Sequence, residues 1–164
     1  MSGGAGTWSI AEDDHRKITG HLDALLRESQ AHGALVVDRA GQLLANAGDK
    51  LTFDPTTFAS LTAADFSAND QLAKMIGEPE FGSLFHQGEK ESMYLADVAR
   101  RVILVVLFDQ RTTVGLVRLK VKQTVTDLAK VFEEMFGRAG QTGAQRPAKL
   151  LEGAEDEIDK LFGD

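Results

Sequence analysis

The sequence predicts an α/β (α+β) domain, a sheet covered by helices on both sides, with a detached tail. Three observations carry this. Val102 to Phe108 is an unbroken apolar run, and a strand that does not alternate is covered on both faces. Three longer segments repeat apolar residues at one-turn spacing, which reads as helix. Beyond residue 137 the composition turns to Gly, Gln and Ala and then to acids, which reads as linker and peptide. The expected organisation is a flexible N-terminus over 1–8, a domain over 9–137, a linker over 138–149 and an acidic amphipathic tail over 150–164.

Ser9 to Gln30 reads as the first helix. Ile18, Leu22, Leu25 and Leu26 form its apolar stripe, and Glu12, Asp13 and Asp14 occupy the first turn, where the dipole favours acids. Gly33 is the expected stop. Ala34–Asp38 and Leu43–Ala47 read as a hairpin around Arg39-Ala40-Gly41-Gln42, with Gly41 free to take a positive φ. Asp54-Pro55 opens the second helix, aspartate as cap and proline at the first helical position. Phe58, Leu61, Ala68, Leu72, Met75 and Ile76 form one apolar stripe along it, and Asp65 falls inside that stripe. Thr62 and Asp65 have the spacing of a capping pair, which marks a place for a kink or a fresh start. Gly77 and Pro79 end it. Phe81–Gln87, Ser92–Val98 and Arg101–Asp109 read as three more strands, the last two joined tightly at Ala99-Arg100 and therefore antiparallel neighbours. Thr112 to Phe136 carries a helical stripe through Val117, Val121, Val125, Leu128, Phe132 and Met135, capped by Thr112 or Thr113 and ended by Gly137.

The chain has 164 residues, 43% hydrophobic and 26% charged, with a net charge of −7. This is ordinary globular composition. The acidic balance disfavours binding to nucleic acid and to anionic membranes. No run of ~20 apolar residues is present to span a bilayer in a helix, and no secretory signal is legible at the N-terminus. The expectation is a soluble cytoplasmic protein. Cysteine is absent, which removes disulfides, thiolate metal sites and cysteine nucleophiles.

No catalytic constellation is legible. Gly77 to Gly82 lacks the lysine of a phosphate loop. His15 and His21 are six apart, on opposite sides of a helix, and make a poor metal pair. No cofactor is implied. Arg100, Arg101, Arg111 and Arg118 are the candidates for an arginine finger, but surface and turn arginines are commonplace. The informative features are two surfaces. Ser60, Ala63, Ala64, Ser67 and Gln71 lie on one line of the second helix, mostly small and without charge. Such a face admits either another chain or a loop of the same chain. In the tail, Ile158, Leu161 and Phe162 recur at i, i+3 and i+4 among acids, the pattern of a tethered peptide that folds on a partner.

The run Val36 to Leu43, the segments Ala59-Ser60-Leu61-Thr62-Ala63 and Leu72 to Glu78, then Phe85-His86-Gln87-Gly88 and the stretch Val102–Lys122 together carry a resemblance. Over residues 10–136 the chain resembles the roadblock family of dynein-light-chain-type domains, in its bacterial MglB-like branch. The acidic segment Asp156 to Phe162 resembles the tail peptide of some members. The resemblance implies a roadblock/longin-like α-β-β-α-β-β-β-α fold. Its five-stranded antiparallel sheet has the second helix on one face and the first and third on the other. It further implies a homodimer that pairs the edge strand and packs the second helices, here through Ser60, Ala63, Phe81, Leu84, Phe85 and His86. The implied partner is a small Ras-like GTPase of the MglA type, with two chains per GTPase, contacted by Ala64, Ser67, Ala68 and Gln71. Stimulation of GTP hydrolysis would use the GTPase's own groups, with no active site in this chain, and the tail would act on nucleotide exchange. Cell polarity and gliding motility, placement at a cell pole and other polarity partners follow from the same resemblance. The alternative is a non-catalytic scaffold that recruits such partners. The chain departs from the family pattern at Asn69-Asp70-Gln71, where related sequences tend to be smaller.

Overall fold

The computed structural model describes residues 10–145. The 1–8 segment and the tail residues Ile158, Leu161 and Phe162 lie outside them. The element order is α1 (Glu12–Ser29), β1 (Gly33–Asp38), β2 (Leu43–Gly48), α2 (Pro55–Met75), β3 (Ser83–Gln87), β4 (Ser92–Val98), β5 (Val102–Phe108) and α3 (Val114–Gln145). One five-stranded sheet has the order β2-β1-β5-β4-β3, and every neighbouring pair is antiparallel. The chain divides into two compact units at Val131. The sheet, α1, α2 and the greater part of the described α3 belong to the first. The rings of Phe132 and Phe136, 6.5 Å apart, belong to the second.

Strand β5 is central, and Val102 to Val106 are wholly buried, as its unbroken apolarity requires. Successive side chains point to opposite faces, so β5 feeds two cores. Ile103 and Val105 join Leu35, Val37, Leu95, Ala59 and Phe66 in the core under α2. Val102, Leu104 and Val106 point the other way, toward the α1–α3 side. There Arg118 of α3 lies over the Tyr94 ring, 5.9 Å from its centroid, and Lys120–Glu28 and His21–Asp127 pairs tie α3 to α1.

The turns explain the strand ends. Asp38 is buried and its carboxylate accepts from the amides of Ala40 (3.0 Å) and Gln42 (2.8 Å), closing the β1–β2 hairpin. Gly41 has φ +91°, and the Ser60 Cα would lie 3.0 Å from any Cβ placed there. Thus the hairpin turn rests directly on α2, and only glycine satisfies both demands. Between β4 and β5, Ala99 and Arg100 both have positive φ, 54° and 59°. The Arg101 amide donates to Val98 O at 3.0 Å, the geometry of a tight turn with the strands' own twist. The carboxylate of Asp97 accepts from the Arg100 amide at 3.0 Å.

Two element ends and one helix interior differ from the sequence expectation. α1 stops at Ser29 because Gln30, not Gly33, takes the left-handed conformation (φ 65°) and returns its amide to Leu26. Gly33 opens β1 instead, where the Leu107 side chain lies 3.4 Å from a would-be Cβ. α2 runs unbroken through Thr62–Asp65, with Thr62 buried inside it. α3 does not end at Gly137 but continues to Gln145. No neighbour lies within 4 Å of a Cβ at Gly137, and a lone glycine costs a helix only about 1 kcal/mol. The other caps agree. Asp54 accepts from the Thr57 amide (3.0 Å) and hydroxyl at the start of α2. Those bonds hold its carboxyl below the usual range. Thr113 accepts from the Leu116 amide (3.2 Å) at the start of α3.

Phe66 is the largest fully buried side chain on α2. Phe66→Ala should lower unfolding free energy by ~3–5 kcal/mol, read as a lower denaturant midpoint at unchanged m-value. A second prediction concerns the end of β5. There the Arg111 guanidinium grips both oxygens of Asp109 through three contacts of 2.9–3.1 Å, and its amide adds a fourth bond. These hold the Asp109 carboxyl down at about 2. A depressed carboxyl stabilises the fold above its ordinary value of ~3.9 and loses that contribution as pH falls through about 2. In Arg111→Ala the Asp109 midpoint, followed by carboxyl carbon shifts in NMR, should move up toward ~3.9.

Candidate interaction site on the second helix

α2 meets the sheet with small residues. Ala59, Thr62, Ala63, Phe66, Asn69 and Ala73 are its buried positions, and their spacing keeps them on one helical face. The large apolar residues face outward. Leu61 is 65% exposed, Leu72 58%, Met75 81% and Ile76 71%. The stripe that reads as the amphipathic helix's core side is therefore its outer side. Only Phe58, at its start, is half-buried, and its ring meets Phe53 at 4.5 Å. Single exposed apolar residues are ordinary, but four large ones on one side of a helix make a candidate interaction surface.

The uncharged line of small residues flanks that stripe. Ala63 is buried against the sheet (8% exposed), and Ser60 is the position on which the Gly41 turn rests. Ala64, Ser67 and Gln71 are exposed, as is Ala68. The upper part of the line thus serves a loop of the same chain, and the lower part is open.

β3 is an edge strand, pairing with β4 on one side only. Alternation divides its residues. Leu84 packs half-buried on the α2-side core, whereas Phe85 faces the other way and stacks on Phe108 at 6.0 Å. Phe81 precedes the strand and is 40% exposed. His86 shares Leu84's face, and its Nε2 lies 2.5 Å from Asp65 Oδ2 on α2. The acid that interrupts the apolar stripe is therefore paired to the edge strand.

Two further constellations bring together residues too distant in the chain for any local pattern to reveal. Arg39, in the β1–β2 turn, donates to Asp70 of α2 at 2.9 Å and to Asp97 of β4. It also lies 5.0 Å from the centroid of the Phe66 ring. This gives Asp70 a role as an anchor of α2; its neighbour Asn69 is buried with its Nδ2 unpartnered. At the opposite end of β4 and β5, His32, Glu91 and Asp109 each bring one ligand-type atom within 4.8 Å of the others. His32 Nε2 and Glu91 Oε2 are 2.8 Å apart. Both oxygens of Asp109 are already spanned by Arg111, so a cation there would have to displace that guanidinium. Among the described residues no helix is long and apolar enough to cross a membrane.

Among protein families, a Roadblock/LC7 domain model matches residues 17–108. Among solved structures, MglB of Myxococcus xanthus is 46% identical, with a TM-score of 0.69 over 72% of this chain and 96% of that one. The gliding protein MglB of Thermus thermophilus is 30% identical, with a TM-score of 0.73 over 78% and 97%. An MglB described in a tetrameric arrangement is also 30% identical, at a TM-score of 0.74 over 78% and 96%. A search of curated proteins gave no match. The chain belongs to the Roadblock/LC7 family, as a member similar to the MglB proteins.

Proposed function

We propose that this protein is a homodimeric regulator of a small Ras-like GTPase of the MglA type, without an active site of its own. The observation that carries the reading is the exposed apolar row Leu61, Leu72, Met75 and Ile76 of α2, on a helix that the Asp65–His86 pair links to β3, one of the two edges of the sheet. Two copies related by a twofold axis would cover the apolar row and pair the open edge together. Such pairing sets two α2 helices next to each other, and the uncharged positions Ala64, Ser67, Ala68 and Gln71 then form a doubled, low-relief platform for the GTPase. Regulation works by positioning: pressed onto the nucleotide switch, the platform orders groups the GTPase already carries, and hydrolysis accelerates. The similarity to MglB proteins supports this role, and the word gliding in one relative's description supports a place in cell polarity and motility. The tail beyond residue 149 acts on the same GTPase from a separate surface.

Two measurements test this. Leu72→Arg places a charge in the apolar row and should turn a sedimenting dimer into single chains; a dimer unchanged by it would refute the pairing face. Ser67→Arg should leave the dimer intact while abolishing its complex with an MglA-type GTPase and the stimulation of single-turnover GTP hydrolysis. Unchanged hydrolysis on adding wild-type chain, with binding retained, would instead assign it a recruiting scaffold's role.

A further inference from the structure

The apolar row of α2 contains one charge. Asp65 lies one turn from Leu61, and Leu72 lies seven residues beyond it on the same side. Its partner is His86 of β3, at 2.5 Å, and the two side chains are 37% and 48% exposed. The pair therefore stands half-wet in the middle of the surface assigned above to self-association.

We infer that the Asp65–His86 pair is the polar specificity contact of that surface, and that it couples the pairing of two copies to proton uptake by His86. This rests on the self-association reading. The argument is one of net charge. When two copies close over the row, water leaves both pairs. A carboxylate beside a neutral imidazole carries one uncompensated negative charge into the interface. A carboxylate beside an imidazolium carries none. Burying an unpaired charge costs far more than burying a compensated one. The closed assembly therefore favours the protonated ring, and pairing draws protons from solvent onto His86.

The surroundings leave this balance to the pair itself. On α2 the residues one turn from Asp65 are Leu61, Thr62, Ala68 and Asn69, all uncharged. Across the sheet His86 stands opposite Met93. A shallow recess beside it is lined by Gln87, Gly88, Glu91, Ser92, Met93 and Leu107. Glu91 is the one other titratable group there, and it is engaged by His32. The sign follows from linkage. An assembly that favours the protonated imidazole is strengthened as pH falls and weakened as it rises. Pairing is tighter at pH 6 than at pH 8.

The test is sedimentation of the full chain at pH 6 and pH 8 at fixed ionic strength. The wild-type dissociation constant should rise by about tenfold between them, the change that a net release of about half a proton per dimer, averaged over the interval, produces. His86→Gln keeps an N–H donor for Asp65 but cannot titrate, and Asp65→Asn removes the charge to be compensated. Both variants should still dimerise, with the pH dependence flattened. A wild-type dimer equally tight at both pH values overturns the inference and leaves self-association standing. So does a His86→Gln dimer with undiminished pH dependence. Single chains at every pH and concentration would overturn the self-association reading, and this inference with it.

Discussion

Strand β5 presents Val and Leu to one face of the sheet and Ile and Val to the other, and water is tolerated at neither. Everything else is arranged around that demand. One face is closed by α1 and the first part of α3. The other has α2 alone, and closing it with one helix requires the helix to lie close. Ala59, Ala63 and Ala73 provide the closeness, and Phe66 fills the volume left over. A helix that spends its small residues on the inside has its large ones left for the outside. The exposed row of α2 is thus a direct consequence of how the second core is packed, and no separate device is needed to produce an interaction surface.

A single covering helix is also a lightly held one. The Gly41 turn against Ser60, the Asp65–His86 pair and the Arg39 bonds to Asp70 and Asp97 fasten α2 along its length. All of these are polar or steric contacts at the rim of the core. They fix where the helix sits without covering its outer side. The face that could meet a partner is therefore presented in a defined orientation, and meeting it requires no rearrangement of the core beneath.

Much of the fold was legible in the sequence. The unbroken run of β5 announced a central strand, and Asp54-Pro55, Gly41 and Ala99-Arg100 marked a cap and two turns that the structure shows. The orientation of α2 was not legible, because amphipathic logic assigns large apolar residues to the core, while this helix uses alanine there. Asp65 held the correction: an acid in the middle of an apolar stripe is out of place in a core but not on a surface. Gly137 misled for a different reason. Glycine is a frequent helix stop, but its penalty is small beside the propensity of the residues around it. The Arg39 and His32 constellations were invisible, because their members meet only after strands far apart in the chain have paired.

Arg39 has a mechanical consequence. One planar guanidinium holds Asp70, 31 residues away, and Asp97, 58 residues away, and Asp97 also accepts from the Arg100 amide of the β4–β5 turn. Because the fork of an arginine is rigid, helix and turn are geared together. Rolling α2 about its own axis would tug the far tip of the sheet, and anything that gripped that tip would brake the roll.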